Sequence, residues 1–430
     1  MLQFLILKKE LFLLSCFCLI TTQGLATAVH AANPGHLEQL RSTNSCPKCD
    51  LRDAQLMGEN LQKADLRSAK LDGANLSGAN LSGANLSAAQ LTGVQLAEAM
   101  LAGANLREAK LGARQPDKKT ESTIVTNLQD ANLEGAILTA ADLGGAKLIR
   151  ANLREAKLNY AKLIGANLEK ADLTGSILGA ANLTGANLYE AQLKLATLSG
   201  ANLTGAQMSK ANLETISADS VNLSKADLRQ ANLTEAQLDH ANLKGAKLQD
   251  GVLNAATLRS SDMSSSELQG ARLKGADLGR ANLSAANLER ADLTNAKLAS
   301  ANLTAAQLTG AKLPSAYLFS ANLTNANLNG VDLRQALLRL ADLTNASLVG
   351  ATLENANLID TQLTKANLMY SNLSQGDLRG ANLTNANLSY ANLNQADLEL
   401  ATLSNANLTN ANLKNAKLEG AIGLNSSVLP

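Results

Sequence analysis

The stretch "STNSCPKCDLRDAQL" holds Cys46 and Cys49 with two residues between them, the spacing of a redox-active dithiol or of one half of a zinc site. A zinc site needs further thiolate or imidazole ligands. Past residue 31 the chain has no second Cys/His pair to supply them, and Asp50 excludes a C-x-x-C-H haem attachment. Cys46 stands five residues before Leu51 and Cys49 stands two before it, which are core positions in the pattern described below. A buried structural pair is therefore a further reading, and an oxidising compartment would join it as a disulfide. Histidine offers little more. His30 lies in an apolar leader, His36 precedes a short helical pattern, and His240 is an outward residue with no Ser or Cys nucleophile beside it.

Carboxylates are plentiful but belong to a pattern with no pocket to hold them. Many of the glycines stand two after a Leu, as turn residues do, and none makes a phosphate-binding loop. These residues assign no catalytic group, no cofactor and no metal. One charged segment differs from the rest: "GARQPDKKTESTIVTN" carries Arg114, Asp117, Lys118, Lys119 and Glu121 next to Pro116. It reads as an exposed loop. That loop is either a recognition element for a partner, or a linker between two blocks or an insertion into one.

The rest of the chain must position these groups, and it has a period of five. From Leu128 to Leu418 there are 59 positions at five-residue steps, and all are Leu except Met208, Ala218 and Met263. From Leu51 to Leu111 there are 13, every one Leu. The residue two before each Leu is usually Ala, and sometimes Val, Gly, Ser or Thr. In a straight helix five residues advance about 500°, so the leucines would wind around every side. In a straight strand an odd period would send them to alternate faces. A corner every five residues lets each Leu point inward, and stacked coils of such corners make a solenoid.

"ADLTGSILGAANLTGANL" and its neighbours resemble the pentapeptide-repeat family, A(D/N)LXX, over about 360 of the 430 residues. The resemblance implies an all-β right-handed quadrilateral β-helix of twenty-residue coils, with the Leu and the Ala two before it inside and the other three positions outside. It says little about function. Stepping by twenty aligns Asn182 through Asn322, interrupted by Asp262, and Thr184 through Thr384, interrupted by Lys244. Such columns are expected to hydrogen-bond along the rod. Tyr370 and Tyr390 share a column and are expected to stack. Leu195, Leu340 and Leu400 read as scattered, with no large apolar patch.

The expected organisation is a signal peptide over 1–31, an N-terminal cap with a short helix and the Cys pair over 32–50, a repeat block over 51–111, a loop or linker over 112–127, a long solenoid over 128–418 and a tail over 419–430. The leader has a cationic start, an apolar run and an A-x-A-like end at "ATAVHA". "HLEQLRST" places Leu37 and Leu40 at helical spacing to cover the first coil, and "HLEQLRSTNSCPKCDL" resembles the start of exported cyanobacterial members of the family. That resemblance implies a periplasmic or thylakoid-lumen address, ahead of an extracellular one, with no membrane contact after cleavage. Formal charge is +1, and without the leader 36 basic residues face 36 acidic ones. Balance of this kind argues against a nucleic-acid binder, which needs a basic face, and against a strongly acidic mimic of nucleic acid. The expected function is a non-enzymatic rigid scaffold or spacer with an unknown protein partner. A DNA-mimicking inhibitor or protector of a type II topoisomerase and an ice- or surface-binding solenoid are the alternatives.

Overall fold

Every five residues the backbone of this chain spends four of its five amide protons in the same way. Around Leu183, the amides of Leu183 and Gly185 donate to Asn202 and Thr204 of the next coil at 2.7 and 2.9 Å. The amide of Asn182 donates to Ala161 of the preceding coil at 2.9 Å, and that of Ala186 closes the corner onto the Leu183 carbonyl at 3.0 Å. The fifth amide, on Thr184, has no backbone partner and donates to the Asn182 Oδ1 at 3.1 Å. Where Asn or Asp precedes the Leu its short side chain supplies this acceptor, which accounts for their frequency there, although Lys147, Ile177 and Gln192 show that the position admits other residues. The use of backbone donors that burial demands thus favours the motif.

These bonds make isolated parallel bridges between residues twenty apart, one on each of four sides, from Ser45 to Ile422. The computed structural model describes residues 32–113 and 123–424 of the chain. Fourteen bridge positions from Ser45 to Lys110 and sixty from Asn127 to Ile422, four to a coil, give between eighteen and nineteen coils. At about 4.8 Å per coil the rod is roughly 90 Å long. We number the four faces by their central Leu: face one carries Leu183, face two Leu188, face three Leu193 and face four Leu198. The coil is the right-handed quadrilateral β-helix.

The interior is a filled column of Leu and Ala, with nearly all the inward leucines fully buried. Hydroxyls that replace the inward Ala find a partner at once. Ser176, Ser261, Ser266, Thr361 and Ser371 each donate at 2.7 Å to the carbonyl of the preceding Leu or Met. Where Ala218 stands in a Leu position, Ile216 and Val221 fill the neighbouring Ala positions, and all three are buried. Volume removed at one site is returned at the next, as a close-packed interior requires.

At every corner the second turn residue has a positive φ, from Asp53 at 56° to Gly420 at 69°. That geometry belongs to a turn that favours Gly or Asn at this position. The glycines found two after Leu sit there for that reason.

The two repeat blocks share one ladder. Gln95 bridges Asn127, and Met100, Asn105 and Lys110 bridge Asn132, Ile137 and Asp142, so the spacing rises from 20 to 32 for one coil and then returns. The added segment is thus spliced into a continuous solenoid. Thr126 closes its base: its hydroxyl accepts from the Gly93 amide at 3.1 Å and lies 3.1 Å from the carbonyl oxygens of both Leu91 and Gly112.

The helix α1, Pro34–Thr43, covers the first coil and buries Leu40. Asn33 caps it, accepting from the Gly35 and His36 amides, and Pro34 stands in its first turn, where a missing amide proton costs nothing. His36 Nδ1 accepts from the Asp50 amide at 3.0 Å and ties the helix to the coil.

Candidate interaction surface

Cys46 and Cys49 occupy two inward positions of the first coil beneath α1, both buried, with their sulfurs joined as a disulfide. The loop residues Arg114, Asp117, Lys118, Lys119 and Glu121 lie outside the described residues, as do the leader 1–31 and residues 425–430. His240 is exposed on face four, with its Nδ1 3.1 Å from the Asp219 carboxylate. Among the described residues no group of three His, Cys, Asp or Glu side chains gathers to hold a metal, and no helix is long and apolar enough to cross a membrane.

The charges fall into a recurring device. In each Asp-Leu-Arg triplet the Arg reaches across the Leu and grips the Asp two residues back through Nε and a terminal nitrogen. Arg52 holds Asp50 at 2.8 and 2.5 Å, and Arg229 holds Asp227 at 2.8 and 2.5 Å. Arg67, Arg334 and Arg379 do the same to Asp65, Asp332 and Asp377. The paired guanidinium holds all five carboxyls below the usual range, Asp50 at about 2. Such pairing scatters neutral units over the rod and leaves no unbroken acidic column.

The polar columns behave differently from each other. Asn side chains bond along the rod, as in Asn302 to Asn282 at 3.1 Å and Asn152 to Asn132 at 3.1 Å. Hydroxyls mostly turn inward instead: Thr184, Thr204, Thr304, Thr324 and Thr384 each donate to their own Asn Oδ1 at 2.6 Å. Tyr370 and Tyr390 stack, with ring centroids 5.0 Å apart.

Leu195, Leu340 and Leu400 are well apart from one another, but other apolar side chains gather around Leu340, and here the expectation of no apolar patch needs correction. Tyr317 and Leu337 bridge each other on face four, and Leu340 lies at the corner of the same coil. All three are exposed, by 41%, 44% and 46%. Phe319, with its ring parallel to Tyr317 at 6.1 Å, and Ile359 complete a contiguous patch over three coils. Reading one column at a time hides it, because Tyr317, Phe319 and Leu340 stand in three different columns of one face. Towards the N-terminal side the same face sinks into an open depression of about 480 Å³ over Ser260, Gly279, Ala299 and Ser300, edged by His240, Arg259 and Arg280.

Comparison with known proteins agrees with this architecture. The profile of the pentapeptide repeats matches the chain in stretches from residue 49 to residue 420. The chain belongs to the pentapeptide-repeat family. It is similar to HetL, a pentapeptide-repeat protein involved in heterocyst differentiation regulation in the cyanobacterium Nostoc, at 38% identity over 47% of this chain and 90% of that one, with a TM-score of 0.34. A pentapeptide-repeat protein of the Arabidopsis thaliana thylakoid lumen shares 30% identity over 24% of this chain and 70% of its own length, with a TM-score of 0.20. QnrB1, a plasmid-mediated fluoroquinolone resistance protein, shares 20% over 44% of this chain and 90% of its own, with a TM-score of 0.26. No curated protein matches the chain.

Proposed function

We propose that this chain is an exported, non-enzymatic scaffold or spacer that presents its outer columns to a protein partner. The observation that supports this reading is the filled core: inward positions are taken almost throughout by Leu and Ala, and the depression on face four is open to solvent. A solenoid built this way offers length, stiffness and ordered faces, which are the properties of a binding scaffold. Export is proposed from the leader alone. Cys46 and Cys49 are read as a clamp that holds the first coil under α1, and Arg114 to Glu121 as a loop available to the partner.

The topoisomerase alternative needs a continuous acidic strip to imitate a phosphate backbone, and the Asp-Leu-Arg units neutralise the carboxylates in place. The ice-binding alternative needs hydroxyls free to order water, and those of face one are bonded to their own Asn side chains. The scaffold reading is the one we retain. Affinity capture with the tagged chain from the exported fraction of its source cells tests it. A protein retained by the intact chain and lost on replacing residues 114–122 with a Gly/Ser segment supports scaffold and loop together. Recovery of the chain only in the cytosol with Met1 intact would overturn the export reading, and capture of topoisomerase would overturn the choice among alternatives.

A further inference from the structure

Face four carries three features in one line. The apolar patch is centred on the Leu337 coil, the depression over Gly279 and Ala299 lies three coils to its N-terminal side, and Leu400 lies three coils to its C-terminal side. Leu400 is the most exposed large apolar side chain among the described residues, at 71%. Charge follows the same order. Arg280 and Lys297, which form no ion pair among the described residues, flank the depression, whereas Glu399 stands beside Leu400.

We propose that face four is self-complementary and pairs two copies of this chain side by side, antiparallel, about a two-fold axis at the Leu337 coil. A two-fold axis lying in the plane of contact and across the rods reverses the order of coils but keeps each column opposite itself. Leu337 and Leu340 then meet their own counterparts, and Phe319 meets Ile359 of the second copy. The coil of Leu400 meets the coil of Gly279 and Arg280. Leu400 of each copy comes opposite Arg280 at the edge of the other's depression, and Glu399, one column over, stands across from Gly279 beside Arg280. One coil nearer the axis, Lys297 comes opposite Asp377, which Arg379 of the same copy already pairs. Such a contact is isologous and closes on itself, so it yields a dimer and not a fibre. Arg339 lies near the axis, but its guanidinium leans to 3.9 Å from Asp360 and does not face its counterpart unaccompanied.

Two details favour a second copy over solvent as the occupant. Tyr317 and Leu337 put exposed apolar side chains in successive coils of a column whose neighbouring members are polar, Asp277 and Lys297 on one side and Asn357 and Asp377 on the other. The spacing of knob and depression about the patch is equal on both sides, which a foreign partner would not require. The strip from Ser260 to Leu400 covers about seven coil spacings, or roughly 34 Å. At that size the contact falls at the weak end of specific interfaces, so a reversible dimer is expected and not an obligate one.

Sedimentation of the full chain over a range of concentrations tests the proposal. A monomer–dimer equilibrium is expected below roughly 100 µM. Leu340→Glu, which sets two carboxylates against each other at the axis, should weaken it at least tenfold, and Leu195→Glu on face three should leave it unchanged. Arg280→Glu and Glu399→Arg should each weaken self-association, while an equimolar mixture of the two restores it, because each contact in the mixed pair then joins opposite charges. Both positions are on the surface, so this arm does not depend on how Leu340→Glu folds. A chain that stays monomeric to that concentration would overturn the proposal. So would a mixture that fails to recover association, or an equal loss with Leu195→Glu.

Discussion

Thr215 is the one β-branched residue among the corner positions with positive φ, held at 56°. A Cβ branch crowds the backbone in that region, and even an unbranched side chain costs roughly 1–2 kcal/mol there. Thr215→Asn is therefore expected to raise stability by about 1 kcal/mol, read as a higher melting temperature, although it removes the hydroxyl bond to the Glu214 carbonyl at 2.7 Å. A lower melting temperature would show that this bond outweighs the strain. The contrast between inside and outside is steeper. Leu243 is fully buried and Lys244, its neighbour, is exposed. Leu243→Asp buries a carboxylate with no partner and should cost several kcal/mol, unfolding the adjoining coils. Lys244→Asp should stay within about 0.5 kcal/mol of the parent. Similar melting curves for the pair would refute the inward and outward assignment.

At the scale of the coil, the seam of the inserted segment depends on one hydroxyl. Thr126→Val keeps the shape but removes the hydroxyl acceptor, leaving the buried Gly93 amide only its longer 3.3 Å bond to the Gly112 carbonyl, and such a loss costs about 1 kcal/mol. We expect lower stability and faster amide exchange at Gly93, and unchanged exchange there would place the closure elsewhere. The coil itself was legible in the sequence because a strict five-residue Leu period leaves few other geometries. The inward Ala followed from the resemblance to the pentapeptide repeats, the corner glycines from their place two after Leu, and the Leu37–Leu40 helix from its own helical spacing. Two things were not legible. The reason that Asn or Asp so often precedes Leu is a count of amide protons, and it shows only once the ladder is drawn. The patch of Tyr317, Phe319, Leu337, Leu340 and Ile359 needed three columns laid side by side, whereas Leu195, Leu340 and Leu400 read singly suggest nothing.

For the molecule as a whole, acid is the informative perturbation. The five Asp-Leu-Arg aspartates have folded pKa values held below the unfolded value of about 3.9. Their contribution is complete above that value and is lost as pH falls through the folded ones, down to about 2 for Asp50. The melting temperature should stay level from neutral pH to about 5 and fall between about 4 and 2. Replacing all five with Asn keeps the Oδ1 acceptor for the fifth amide and should flatten that fall, and an unaltered acid slope would assign it to other carboxylates. The ladder has one more consequence, in terms of angle. Each five residues turn the chain through a quarter circle, so residue number sets both height and bearing, as on a camshaft. Removing twenty residues would shorten the rod by one coil and leave every later side chain on its face. Removing five, between the depression and Leu400, would carry Leu400 a quarter turn away while leaving the core as well packed as before. The inserted segment obeys the same constraint: whatever its length, it rejoins the ladder at the bearing it left.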